Sequence, residues 1–221
     1  MRINKFVATA TGLSRRAADR AITDQRVLVN NQIASIGLQV SISDSVTLDG
    51  GAIKLPELAT TIILNKPIGY VCSRSGQGSQ TIYSLLPAKL HYLKPVGRLD
   101  KNSSGLLVMT NDGVLANQLT HPRYAKTKVY EVSLDKALQS ADQQMVTNKG
   151  VQLSDGPSKF LLTSLGSQGI SWQVTMQEGR NRQIRRTFSA LGYKVQRLHR
   201  TNFGSYSLGD LAESAHRVLE T

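Results

Sequence analysis

The sequence predicts an α+β fold in two unequal parts, on three observations. Beyond residue 60, strand patterns (60–64, 70–73, 104–109, 128–134, 159–164, 170–177 and 194–199) alternate irregularly with fewer helical ones (81–86, 113–119, 141–148 and 181–191). Many strands with few helices point to a mostly antiparallel, mixed sheet. Before residue 49 the order is different: two short amphipathic helices, then brief extended runs. Between the two lies a polar stretch from Asp49-Gly50-Gly51 through Glu57, punctuated by glycine and proline, which is the natural boundary. The expected division is a small module at 1–48, a linker at 49–59 and a larger domain at 60–221.

Length and composition narrow the function classes. A chain of 221 residues suits one large domain or two unequal ones and can bury a sizeable core. With 27 Lys and Arg against 15 Asp and Glu, the formal net charge is +12. Such an excess favours polyanions, nucleic acid first and an anionic membrane surface second. The single cysteine, Cys72, excludes an internal disulfide and fits a reducing cytosol. It sits in an apolar YVCS pattern and reads as a small core residue. Neither it nor the scattered histidines 91, 121, 199 and 216 have metal-ligand spacing, so no metal is expected. No stretch approaches the ~20 apolar residues that span a bilayer. The amino-terminal MRINKFVATATGL lacks the apolar core and cleavage region of a signal peptide, so the expected compartment is the cytoplasm, with no membrane partner.

In the small module, Ile3–Thr11 forms a short helix ended by Gly12. Ser14 caps a second helix running to about Gln25. Ala17, Ala18, Ala21 and Ile22 recur there at helical spacing, which leaves Arg15, Arg16 and Arg20 on the other side. Val27-Leu28-Val29 reads as a strand, Asn30-Asn31 as a turn, and Ile33 resumes the extended pattern. Val40, Ile42, Val46 and Leu48 supply further strand material. An arginine cluster of this kind is by default a solvated helix face.

Within the larger part, residues 96–113, VGRLDKNSSGLLVMTNDG, hold the candidate chemistry. Asp100 follows a basic residue and a leucine. The chain then turns through Asn102, Ser103, Ser104 and Gly105 into an apolar run, Leu106 to Met109, of buried-strand length. Asp112 caps the helical pattern beyond it. A carboxylate on a loop between rigid elements is well held for chemistry. The plainer reading is that Asp100 caps its turn and pairs with Arg98 or Lys101. The 74–80 loop, RSGQGSQ, lacks a following GK[ST], so no nucleotide site is expected there. Residues 121–128, HPRYAKTK, interleave cations with a ring, a pattern suited to single-stranded RNA. Residues 180–200 contain seven Lys and Arg and no acid. On their helix Ile184, Phe188 and Leu191 form the buried face, with Arg182 and Arg185 about one turn apart on another. Past Gly192, residues 194–199 alternate as a strand, with Val195, Arg197 and His199 on one side and Gln196 and Leu198 on the other.

Four blocks in this order resemble the pseudouridine synthases, specifically the RsuA family, whose members modify ribosomal RNA. They are Lys66-Pro67-Ile68-Gly69-Tyr70, the GRLD of 97–100, Lys128-Val129-Tyr130-Glu131-Val132, and 178–186, EGRNRQIRR. GRLD is the most specific of them. The small module, GLSRRAADRAI…RVLVNNQIASIG, resembles the alpha-L RNA-binding motif. There the basic helix contacts phosphates, which implies RNA contact for Arg15, Arg16 and Arg20. Asn31 stands where glycine is frequent, and asparagine also tolerates a left-handed turn.

The resemblance implies uridine isomerisation without cofactor, the target base being flipped out of folded RNA. It implies that Asp100 is the obligate carboxylate, that Tyr130 stacks on the base, and that Arg185 pairs with Asp100, with Arg182 or Arg186 as rivals. Leu198 packs near the base, and Arg98 fills the space the base vacates. Lys66, Lys128, Arg180 and Arg182 are expected to bind substrate. The partner implied is ribosomal RNA, the large subunit favoured over the small, or a ribosome assembly intermediate, met by a monomer. A non-catalytic RNA-binding or ribosome-assembly protein on the same scaffold is the second reading. A double-stranded DNA binder is the third, and it leaves the four blocks unexplained.

Overall fold

The computed structural model describes residues 1–56 and 59–219; Glu57 and Leu58 of the expected linker and the last two residues lie outside the described residues. The small part packs the helices Ile3–Thr11 and Arg15–Thr23 on a four-stranded sheet around a core that includes Ile3, Phe6, Ile22, Val27 and Val46. Ser14 caps the second helix, its Oγ accepting from the Ala17 N–H at 3.0 Å. The helix stops at Thr23, because Gln25 turns left-handed. Asn30 and Asn31 both have positive φ, the geometry of a tight hairpin between Val27–Val29 and Gln32–Ile33. Ile42 is exposed and outside any strand.

The expected linker is largely part of this module. Gly51–Ala52 pairs with Thr47 and Leu48, the Ile53 N–H donates to the Val46 carbonyl, and Ile53 and Leu55 pack on the small core. Asp49 and Gly50, both at positive φ, make the hairpin turn that a polar Gly-Gly run had suggested was a spacer. Lys94 ties the two parts together. Its ammonium donates to the carbonyls of Ala8 (3.1 Å) and Leu13 (2.7 Å) at the exposed end of the first helix.

Among the described residues, a nine-stranded sheet forms the larger part. Its path runs Leu161–Ser164, Ser171–Met176, Lys128–Leu134, Val195–Phe203, Ser104–Thr110, Thr61–Lys66 and His216–Leu219. Off this path, Tyr206–Ser207 pairs with the end of Val195–Phe203 and Lys94–Pro95 with the end of Ser104–Thr110. The central strands Thr61–Lys66 and Ser104–Thr110 are buried along their whole length, as continuous apolar runs require. One face carries a large core including Leu64, Leu107, Val132, Trp172 and Phe188. The other carries a smaller one around Ile63, Leu106, Val108 and Phe203.

All pairs on this path are antiparallel except one. Val195–Phe203 runs parallel to Ser104–Thr110, with Arg200 opposite Gly105. Gly105 therefore lies in the strand, not in the preceding turn. Its φ is +103°, and a Cβ there would sit 2.3 Å from the Arg200 carbonyl oxygen and 2.6 Å from its nitrogen. Only glycine allows this approach.

Several elements differ from the periodicity. Residues 70–73 form no strand, only a bridge between Val71 and Thr81, and 81–86 is a short 3₁₀ turn, Ile82–Leu85. The 141–148 helix divides into an α segment, Ser140–Gln144, and a π turn, Met145–Lys149. The last helix begins only at Gln183, because Arg182 is left-handed at φ +46°. Bulges after Val195 and Arg200 break strict alternation, so Val195, Leu198 and Arg200 are buried while Arg197 is exposed.

Replacing Gly105 with alanine is expected to cost about 3 kcal/mol or more, since backbone atoms must separate. A thermal melt of Gly105→Ala should show Tm lowered by roughly 6–12 °C. An unchanged Tm would mean the two strands can part freely.

Candidate active site

Asp100 sits in a tight turn between Lys94–Pro95 and Ser104–Thr110, and the backbone of that turn is heavily restrained. Lys66, fully buried at 0 % exposure, donates to the carbonyls of Ser103 (2.7 Å), Pro67 (2.9 Å) and Asp100 (3.2 Å). The Ser103 N–H also donates to the Asp100 carbonyl at 3.0 Å, and the Gly69 N–H donates to that of Lys101 at 2.8 Å. Cys72 grips the residue before the acid. Its Sγ lies 3.4 Å from both the Leu99 N–H and the Leu99 carbonyl. Burial pushes the Lys66 ammonium below the usual lysine range, and the Asp100 charge counters it. Burial pushes the Cys72 thiol up, which keeps it protonated.

The carboxylate itself is much less tied. Among the described residues its hydrogen-bond partner is Arg182, Nη1 to Oδ2 at 3.5 Å, with both side chains a third to a half exposed. That distance is longer than a close charge-assisted bond. The anion therefore has a cation beside it and an open side.

The open side faces a cavity of about 770 Å³. Asp100, Tyr130 and Leu198 all line it, as do Arg98, Lys128, Arg180 and Arg182. Tyr130 and Leu198 are buried on neighbouring strands, with Leu198 opposite Val132 and Arg200 opposite Tyr130. Arg98 is exposed, and no hydrogen bond or ion pair holds it among the described residues.

Three expected roles change in this geometry. Arg185 does not pair with Asp100. Its Nη2 donates to the Asn102 carbonyl at 2.6 Å and its Nη1 to the Val195 carbonyl at 2.7 Å, so it clamps the turn to the last strand. The left-handed backbone at Arg182 puts that residue before the helix and directs its guanidinium to the acid. Lys66 faces backbone carbonyls and does not line this cavity, because it is spent inside the turn. Arg180 lines the cavity but donates to the carbonyls of Asp155, Gly156 and Pro157 and pairs with Asp155 at 2.9 Å, which holds the 151–158 hairpin. Arg186 shares Asp155 at 2.7 Å.

Lys128 donates to the Gln177 carbonyl at 2.9 Å, and burial lowers its affinity for a proton, with Arg200 adding to the effect. Arg15, Arg16 and Arg20 are exposed on one helix, with Arg15 reaching Asn4 at 3.3 Å. Arg200, 2 % exposed and lining the cavity, was not distinguished in the sequence from the other cations of its block.

Residues 60–190 match the RNA pseudouridylate synthase family, and residues 1–46 match the S4 domain. The chain belongs to the RNA pseudouridylate synthase family. It is 38 % identical to an Aquifex aeolicus protein named as an uncharacterized RNA pseudouridine synthase, over 99 % of this chain and 90 % of that one. It is also 38 % identical to the ribosomal large subunit pseudouridine synthase B of Pseudomonas aeruginosa, again over 99 % of this chain but 59 % of that protein's length. A crystal structure of a pseudouridylate synthase superposes with a TM-score of 0.71 at 32 % identity, covering all of this chain and 96 % of the other.

Removing the two arginines should separate their duties. Arg182→Met is expected to lower turnover at least tenfold with Tm within about 2 °C, because its ion pair is exposed. Arg185→Met should cost about 2 kcal/mol, because two carbonyls lose a charged donor. Parallel melts and turnover assays decide this; equal loss of turnover at unchanged Tm for both would return Arg185 to the acid.

Proposed function

We propose that this protein isomerises a specific uridine of large-subunit ribosomal RNA to pseudouridine, with Asp100 as the catalytic carboxylate. The observation that supports it most is a carboxylate whose turn is pinned from behind by Lys66 while its oxygens, beside Arg182, open on a cavity roomy enough to admit a nucleotide. The name of the Pseudomonas aeruginosa relative favours the large subunit as the source of substrate.

The reaction breaks the N1–C1′ bond, turns the base, forms a C5–C1′ bond and moves a proton from C5 to solvent while N1 takes one up. Nothing is oxidised, and no group arrives from outside. A carboxylate anion serves this either by adding to the base or sugar or by assisting departure of the base. Flipping the uridine out costs a few kcal/mol of unstacking. Tyr130 stacks on the extruded ring and takes part in removal of the C5 proton, Leu198 gives that ring an apolar neighbour, and Arg98 enters the gap left in the RNA. Arg182 directs the carboxylate. The S4 module adds phosphate contacts through Arg15, Arg16 and Arg20, and Lys94 keeps it docked beside the larger domain. One chain acts, in the cytoplasm, on the RNA or on an assembling ribosome.

Pseudouridine maps of both ribosomal RNAs from cells with and without the gene test this directly. One large-subunit uridine should lose its modification and regain it with wild type but not with Asp100→Asn. That variant should turn over at least about a thousandfold more slowly while folding and binding RNA normally. Identical maps would refute the assignment, and a missing small-subunit site would move the substrate there.

A further inference from the structure

The cavity has a second chemical feature that Asp100 does not use. Phe203, buried close to Gly97, has two cations against its ring: the Arg200 guanidinium carbon 4.8 Å from the centroid and the Lys128 ammonium at 5.4 Å. Arg200 donates from Nε to the Leu106 carbonyl at 2.8 Å, yet its Nη2 is buried with no hydrogen-bond partner among the described residues. Neither cation has an ion-pair partner among those residues. The acid whose charge reaches Lys128 is Glu178, and its carboxylate is already held by Arg180 and Gln183.

Two positive charges on one ring, close enough that Arg200 lowers the proton affinity of Lys128, repel each other, and Arg200, 98 % removed from solvent, leaves an N–H unused. Cation–π contact with one ring offsets only part of this. An anion with several acceptor oxygens removes both penalties at once, which a neutral base carbonyl cannot. Of the other cations of the cavity, Arg182 is engaged with Asp100 and Arg180 with Asp155, and Arg98 is an exposed side chain whose guanidinium keeps its water.

We propose that Arg200 and Lys128, together on Phe203, seat one backbone phosphate of the RNA that enters the cavity. The proposal rests on reading the Asp100 cavity as an RNA site and adds to it where the backbone is gripped. Because Tyr130 is opposite Arg200 in register, the phosphate belongs to the extruded nucleotide or its immediate neighbour.

Filter binding of the full chain to transcribed large-subunit ribosomal RNA, across a potassium chloride series, tests it. Each phosphate contact contributes about 0.7–0.9 to the slope of log K against log salt. Arg200→Met and Lys128→Met should each lose roughly that amount and bind several-fold more weakly, and the double variant should lose little more than either single one. Arg200→Lys, which keeps the charge, should retain most of the slope. Wild-type slope in Arg200→Met and Lys128→Met overturns the proposal; so does weakened binding at unchanged slope, which signals a base carbonyl instead. If Arg200→Met fails to fold, Lys128→Met decides. A measurement without any variant adds to it: inorganic phosphate should raise the wild-type Tm above that in chloride at equal ionic strength, and no rise counts against the seat. Pseudouridine formation is scored on the same RNA. An inactive wild type with a slope that falls in the variants sinks the enzymatic reading and leaves the phosphate seat standing, whereas an active one with an unmoved slope does the reverse.

Discussion

Lys66 donates three hydrogen bonds from a position with no solvent contact, all to carbonyls of one short stretch of chain and its neighbour across the turn. Burying an ammonium ion costs several kcal/mol unless its donors are satisfied, and here the carbonyls of Pro67, Asp100 and Ser103 supply the acceptors. The consequence is local rigidity. Leu99 is gripped by Cys72, Asn102 by Arg185, and Lys101 by Gly69, so the peptide units on both sides of Asp100 are held. All of these bonds go to backbone. Among the described residues, the Asp100 side chain is left with one long contact to Arg182 and an open face. A fixed backbone beneath a lightly held carboxylate is what positions chemistry without quenching it.

The formal charge of +12 divides unequally between structure and surface. Lys66, Arg180, Arg185 and Arg186 are consumed by carbonyls and Asp155. Arg98, Lys128 and Arg200 line the cavity without an ion-pair partner among the described residues, and Arg15, Arg16 and Arg20 project from the small module. The basic block of 180–200 therefore does two separate jobs. Its helical half binds the domain together around the acid, and its strand half contributes Leu198 and Arg200 to the cavity wall. The parallel contact of Gly105 with Arg200 sets the strand half beside the acid, because it brings the strand that follows Asp100 against the strand that bears Arg200.

Much of this was legible in the sequence, for identifiable reasons. The strand Lys128–Leu134 and the cap at Ser14 follow from alternation and from a side chain able to accept an N–H bond. That Asp100, Tyr130 and Leu198 share one cavity was implied by the resemblance, Asp100 and Tyr130 through their own blocks. What escaped was set by backbone conformation. Arg182 and Arg185 are one turn apart on an ideal helix and cannot be told apart there; a left-handed Arg182 ends that equivalence. Gly105 read as a turn glycine because its partner, Arg200, is 95 positions away. Bulges reset the faces of the last strand, which moved Arg200 inward and Arg197 outward. Lys66 looked like a substrate cation because residue type alone does not reveal that three carbonyls converge on it.

The most direct measurement is a crystal structure of the full chain bound to a ribosomal RNA hairpin that carries its target uridine. The expected result is an extruded pyrimidine or its ribose about 3.5 Å from the Asp100 carboxylate, with Lys66 still on the three carbonyls. A uridine left stacked in the RNA, or a carboxylate turned away from an occupied cavity, would contradict it.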